Sequence, residues 1–67
     1  MIQYYIEIVG GLDNDYELYQ KIKPYGGNLI NLGNRAWVHG KATPAVFQKV
    51  LYVCLVYHKL DIEIIHL

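Results

Sequence analysis

Between Gly33 and Thr43 the side chains alternate with period two. Arg35, Trp37, His39 and Lys41 fall on one face, and Ala36, Val38, Gly40 and Ala42 on the other. A strand of this kind needs cover on its small apolar side and offers a cationic and aromatic side to whatever lies in front. Its ends are punctuated as sharply as its middle. Gly33-Asn34 forms a two-residue, Gly-first loop suited to a type II′ hairpin turn, whose twist matches antiparallel neighbours. Thr43-Pro44 supplies a hydroxyl N-cap and then a proline at the first helical position. Strand, tight turn, strand and helix start are thus fixed relative to one another.

The remaining elements follow outward from this hairpin. Ile2 to Val9 reads as a strand with Ile2, Tyr4, Ile6 and Ile8 on one face and Gln3, Tyr5, Glu7 and Val9 on the other, ended by Gly10-Gly11. Asn14 with Glu17 three residues on has capping-box spacing, and Asp15 adds a favourable charge to the first turn. This predicts a helix whose buried stripe is Leu18, Ile22 and either Tyr16 or Tyr19, stopping before Pro24. Leu29 to Leu32 is the short strand entering the hairpin. From Pro44 to about Lys59 a helix is expected, although Val50 to Tyr57 has strand-like propensity. The segment is too long for one strand, and Gln48, Lys49, Tyr52 and Lys59 gather on one side at 3.6 residues per turn. Phe47, Val50, Cys54 and Tyr57 are then expected to face the sheet, with Leu55 and Val56 toward the polar side. Asp61 to Leu67 closes the chain as a strand, Ile62 and Ile64 on one face, Glu63 and Ile65 on the other.

The order strand-helix-strand-strand-helix-strand is that of the split βαβ unit. The expected fold is α+β and ferredoxin-like, a βαββαβ domain spanning residues 1–67. Its four-stranded antiparallel sheet has order four-one-three-two, with both helices on one face. That resemblance rests on element order alone, and many unrelated proteins share the topology.

At 67 residues the chain is near the lower limit for folding without a staple, since a domain of this size buries only about 60% of the surface its unfolded form exposes. Cys54 is the single cysteine, so an intramolecular disulfide is impossible. Composition compensates: 54% of residues are hydrophobic against 18% charged, with seven Tyr and one Trp. Such an apolar load on a small chain favours self-association or a standing partner. Six basic residues balance six acidic ones, which disfavours a protein that holds nucleic acid by bulk charge. The apolar run Val50 to Tyr57 is about half the length of a membrane span, so no membrane is expected. A lone buried-looking cysteine and a start without a basic n-region give a cytoplasmic expectation.

Within that topology Tyr5 of the first strand stands beside Trp37 and His39 of the third, on the face without helices. Arg35, Lys41, Gln3 and Glu7 surround them, and Glu63 and Ile65 flank from the last strand. Trp, Tyr and Arg are the residues enriched at interface hot spots. Tyr5, Arg35, Trp37, His39 and Lys41 are therefore the expected partner-binding residues, for another protein or for a second copy of the chain. RNA-recognition domains stack bases at the same place on a split βαβ sheet, which makes single-stranded nucleic acid an alternative occupant. Their basic-Gly-aromatic-Gly signature is absent. Small-molecule sensing at a dimer interface is a third possibility, at the Gly10-Gly11 and Gly26-Gly27 loops. The helix of Leu55 and Val56 is apolar nearly all round, which makes a second contact surface there a further possibility.

Catalytic chemistry finds little support. There is no serine, and Thr43, the one threonine, is committed to capping. Cys54 sits mid-helix, away from any helix N-terminus that would lower its pKa. Asp13, Asp15 and Glu17 cluster where helix capping explains them, and Gly10-Gly11 lacks both the G-x-G-x-x-G run and the phosphate-binding lysine. His39, His58 and His66 lie on three elements, and Cys54 with His58 makes only two ligands at i, i+4 spacing where zinc needs at least three. The expectation is a non-enzymatic binding module without metal or cofactor.

Overall fold

The computed structural model describes residues 1–65. Its order is β1 (Ile2–Ile8), α1 (Tyr16–Ile22), β2 (Asn28–Asn31), β3 (Ala36–Ala42), α2 (Pro44–Tyr52) and β4 (Ile62–Ile65). The strands form one antiparallel sheet of order β2-β3-β1-β4, with β1 and β3 central. This is the α+β, ferredoxin-like split βαβ arrangement read from the sequence. The last two residues of the expected final strand, His66 and Leu67, lie outside the described residues. No helix among those described is long and apolar enough to cross a membrane.

The alternation in β1 and β3 decides where the core forms. Tyr4, Ile6 and Ile8 of β1 and Ala36, Val38 and Ala42 of β3 are buried. They meet Leu18 and Ile22 of α1 and Val50, Val53 and Cys54 of the second helical segment. Both helices therefore cover the same face. Burying a Leu, Ile or Val side chain stabilises by about 1.5–3 kcal/mol. The small residues of β3 have a specific partner: Tyr4 lies directly opposite Gly40, and its ring packs on Phe47 with centroids 5.0 Å apart. A larger side chain at residue 40 would collide with that phenol.

The second helix begins as its sequence dictates. Thr43 is extended and its Oγ1 accepts from the Val46 N–H at 3.3 Å, with Pro44 following in the first turn. Its far end differs from a regular α-helix. Val53–Tyr57 is a π-helical turn in which the His58 N–H donates to the Val53 carbonyl. The wider turn advances the chain by less rotation per residue. Tyr57 consequently swings off the sheet-facing stripe and is 52% exposed, contrary to its expected burial. Val53 takes up the buried role instead. Lys59, at φ 54°, then closes the helix in a left-handed conformation, and the Leu60 N–H reaches back to the Cys54 carbonyl.

The first helix is also offset from expectation. Its N-cap is Asp15, which makes no capping bond. Asn14 instead turns locally, its Oδ1 accepting from the Tyr16 N–H at 3.0 Å, so the Asn14–Glu17 capping box does not form. Tyr19 is half-buried and Tyr16 exposed. Pro24 does not follow a clean stop, because a 3-10 turn over Lys23–Tyr25 carries the helix through it. A proline fits the first turn of such an element, where its missing N–H has no partner to lose.

Candidate functional site

The helix-free face of the sheet is ordered by the strand registers into three cross-strand rows. Lys41 pairs with Gln3 at one end. In the middle His39 pairs with Tyr5, flanked by Asn28 of β2 and Ile65 of β4. At the other end Trp37 pairs with Glu7, flanked by Ile30 and Glu63. The eight positions of the middle and far rows point away from the helices, because their strand neighbours lie on the core side.

Tyr5 and His39 stack with centroids 5.2 Å apart and planes 10° from parallel. Both rings are half-buried by one another and by the sheet. Arg35 lies just before β3, one residue short of the strand expected to include it. Its guanidinium forks onto Glu7, with Nη2 3.0 Å from Oε2 and 3.1 Å from Oε1, and Nε 3.1 Å from Oε2. It also lies 4.9 Å from the Trp37 ring centroid. A planar guanidinium that serves a carboxylate edge-on and an indole face-on is geometry a lysine cannot reproduce. The structure thus gathers Tyr5, Arg35, Trp37 and His39 into one contiguous cluster and leaves Lys41 exposed at the end of the same face. Arg35–Glu7 is the ion pair found among the described residues.

The sequence places Glu7 among the residues surrounding the aromatic cluster; the structure adds Ile30, 40% exposed beside Trp37. The sequence does hold the signal for Ile30. A two-residue loop at Gly33-Asn34 pairs residue 32 with 35 and hence 30 with 37. The Arg35–Glu7 fork is a diagonal contact across strands, legible only once the β1–β3 register is known.

Elsewhere the chemistry is spare. The Cys54 thiol is buried, and burial pushes its pKa from 9.0 up to about 11, so it is a poor nucleophile at neutral pH. The i, i+4 partner His58 has a buried Nε2 with no hydrogen-bond partner. No group of three potential metal-ligating side chains converges among the described residues, and His66 lies outside them. Gly10-Gly11 has a structural explanation. A Cβ on Gly11 would strike the Gly33 carbonyl oxygen and come within 2.7 Å of Asn34. The Leu12 N–H donates to that same carbonyl at 3.2 Å, so the glycine lets the chain close against the β2–β3 hairpin. Beyond the Gly26-Gly27 loop, a shallow cleft of about 290 Å³ is lined by Met1, Tyr25, Lys41, Thr43 and Val46. Lys41 is its one charged side chain, and no convergent set of polar groups marks a ligand there.

On the helical layer Tyr52, Leu55, Val56 and Tyr57 are all about half exposed. These side chains are exposed together on one side of the helical layer, with the Lys21 Nζ 4.8 Å from the Tyr57 ring centroid.

No protein-family model, no curated protein and no solved structure matches this chain.

Proposed function

We propose that the protein is a small non-enzymatic binding module that docks on protein through the helix-free face of its sheet. The observation that carries this reading is the Tyr5–His39–Trp37–Arg35 cluster, held by the two central strands and the turn before β3, with no element among the described residues in front of it. Rigid aromatic side chains lose little conformational freedom on docking, and the Arg35–Glu7 fork holds the indole's neighbour in place before a partner arrives. The ordinary fate of such a cluster is an interface, because Trp, Tyr and Arg combine large apolar area with directional polar groups. Its neutral balance of two acids and two bases, Glu7, Glu63, Arg35 and Lys41, suits a protein surface better than a polyanion.

Sedimentation from micromolar concentrations upward, together with pull-down by the wild-type chain and by Trp37→Ala, tests the proposal. Association or partner capture that falls at least tenfold in Trp37→Ala, with an unchanged circular dichroism spectrum, is the expected result. A strict monomer whose Trp37→Ala variant keeps every recovered partner overturns it.

A further inference from the structure

The charges on the helix-free face are laid out along the strands, and this points to a particular occupant. At the Trp37 end, Arg35 and Glu7 neutralise one another. That leaves the exposed Glu63 at this end and the exposed Lys41 at the other, with the uncharged Tyr5–His39 row between them. Neither Glu63 nor Lys41 has an ion partner among the described residues.

We propose that the occupant is a second copy of this chain, packed face to face about a two-fold axis that crosses the strands at the Tyr5–His39 row. The proposal rests on the docking reading above and adds the partner and its orientation. An axis across the strands exchanges the two end rows. Lys41 of each copy then lies over the Trp37–Glu7 row of the other, within reach of its carboxylates, and the Tyr5–His39 stacks meet at the centre. An axis along the strands keeps each row over itself, so both Lys41 side chains would share one end of the interface and all four carboxylates the other. Like charges placed opposite one another disfavour that alternative. A two-fold interface is self-complementary by necessity, and this face meets that condition in one of its two aligned orientations.

Size sets the strength. Strands of seven, four, seven and four residues, at about 3.3 Å per residue and about 4.8 Å between strands, give a face of about 350 Å² in projection. Two such faces fall below the roughly 1,200 Å² at which specific, stable interfaces begin. The accessible surface of the single chain, 4476 Å², is also close to the about 4,400 Å² expected for a free-standing monomer of 7.8 kDa. Both magnitudes fit a chain that needs no obligate partner, so a dimer through this face is small and reversible.

The experiment is a charge swap read by sedimentation equilibrium, with Trp37 emission followed on dilution. Wild type should dimerise with a change in Trp37 emission, and Lys41→Glu and Glu63→Lys should each weaken dimerisation at least tenfold. An equimolar mixture of the two variants should recover association, because both cross-copy contacts are then between opposite charges. A wild-type dimer lost in Trp37→Ala but indifferent to both swaps overturns the two-fold orientation and leaves docking through this face intact. A dimer indifferent to Trp37→Ala overturns both. Wild type that stays monomeric at several hundred micromolar overturns the second copy as occupant, and the docking reading is then decided by the pull-down alone.

Discussion

Arg35 and Glu7 meet across β3 and β1 as a forked pair, two guanidinium nitrogens each within 3.1 Å of the carboxylate. The arginine side chain is 59% exposed, so solvent screens the pair and its net contribution to stability is small, about 0–1 kcal/mol. Its structural consequence is larger than its energy, because the same guanidinium lies on the Trp37 ring. Arg35→Ala should therefore shift Trp37 emission and quenching by iodide while lowering the urea midpoint only slightly. Loss of more than about 1 kcal/mol would mean that the pair contributes to the fold more than exposed pairs do.

Tyr4 and Gly40 form a second cross-strand relationship, inside the core. The Tyr4 hydroxyl is buried without a hydrogen-bond partner, and a Cβ on Gly40 would lie 3.1 Å from it and 3.0 Å from the Gly26 carbonyl oxygen. An unsatisfied buried hydroxyl costs about 1–3 kcal/mol, so Tyr4→Phe should be at least as stable as wild type in urea melts. Gly40→Ala should destabilise by about 1–3 kcal/mol through overpacking. In the Tyr4→Phe background that loss should shrink but not vanish, since the carbonyl contact remains. Equal losses in both backgrounds would show that the hydroxyl is not the neighbour that matters.

Much of this was legible because β-sheets repeat every two residues. The run from Arg35 to Ala42 announced which face was buried, and the loops on either side of it fixed neighbour and direction. Sheet order followed from element order. The helical termini were less legible. Asn14 and Asp15 both qualify as caps by type, but the Asp15 carboxylate accepts from the Asn31 side chain, sixteen residues away, at 3.2 Å, a contact that no local pattern shows. The π-helical turn leaves no mark in Val53 to Tyr57, whose β-branched and aromatic residues suit several backbones. It widens the helix after Val53, and Tyr57 is left at the surface. The site was half legible: its residues could be placed on one face, but the Arg35–Glu7 fork needed coordinates.

Cys54 and Tyr4 give the fold an alkaline limit. Burial raises the Cys54 thiol from 9.0 to about 11, and it raises the Tyr4 phenol as well, with the nearby Cys54 adding to the effect. A folded-state pKa above the unfolded one means the native protein holds the proton longer, so the contribution is fully present below pH 9 and is lost as pH rises through about 11. Urea midpoints should fall across that window. Cys54→Ala should start lower, from lost packing, yet fall less steeply between the same limits. A variant with the wild-type slope would assign the alkaline loss to other groups.

Lys59 terminates the second helix at φ 54°, a backbone region where a side chain is strained, while the Leu60 N–H bonds back to the Cys54 carbonyl at 2.9 Å. Glycine adopts that conformation freely and is the usual residue at such helix ends. Lys59→Gly should thus raise stability by about 0.5–1 kcal/mol in thermal or urea unfolding, relief of strain outweighing the added freedom of the unfolded chain. Destabilisation would indicate that the Lys59 side chain makes contacts worth more than its strain.

Single-stranded nucleic acid is the competing occupant of the sheet face, and the same residues define its test. Stacking on one aromatic contributes about 1–3 kcal/mol per base. Tyr5 and His39 already stack on each other, however, and Arg35 covers Trp37 while bonded to Glu7. A base would have to displace these contacts, with Lys41 as the remaining cation at one end of the face and Glu63 repelling phosphate at the other. Titration of Trp37 fluorescence with mixed-sequence oligonucleotides at low salt, where phosphate contacts are strongest, should give a flat line. Saturable quenching that disappears in Tyr5→Ala and weakens steeply with added salt would replace the protein-docking reading with a nucleic-acid one.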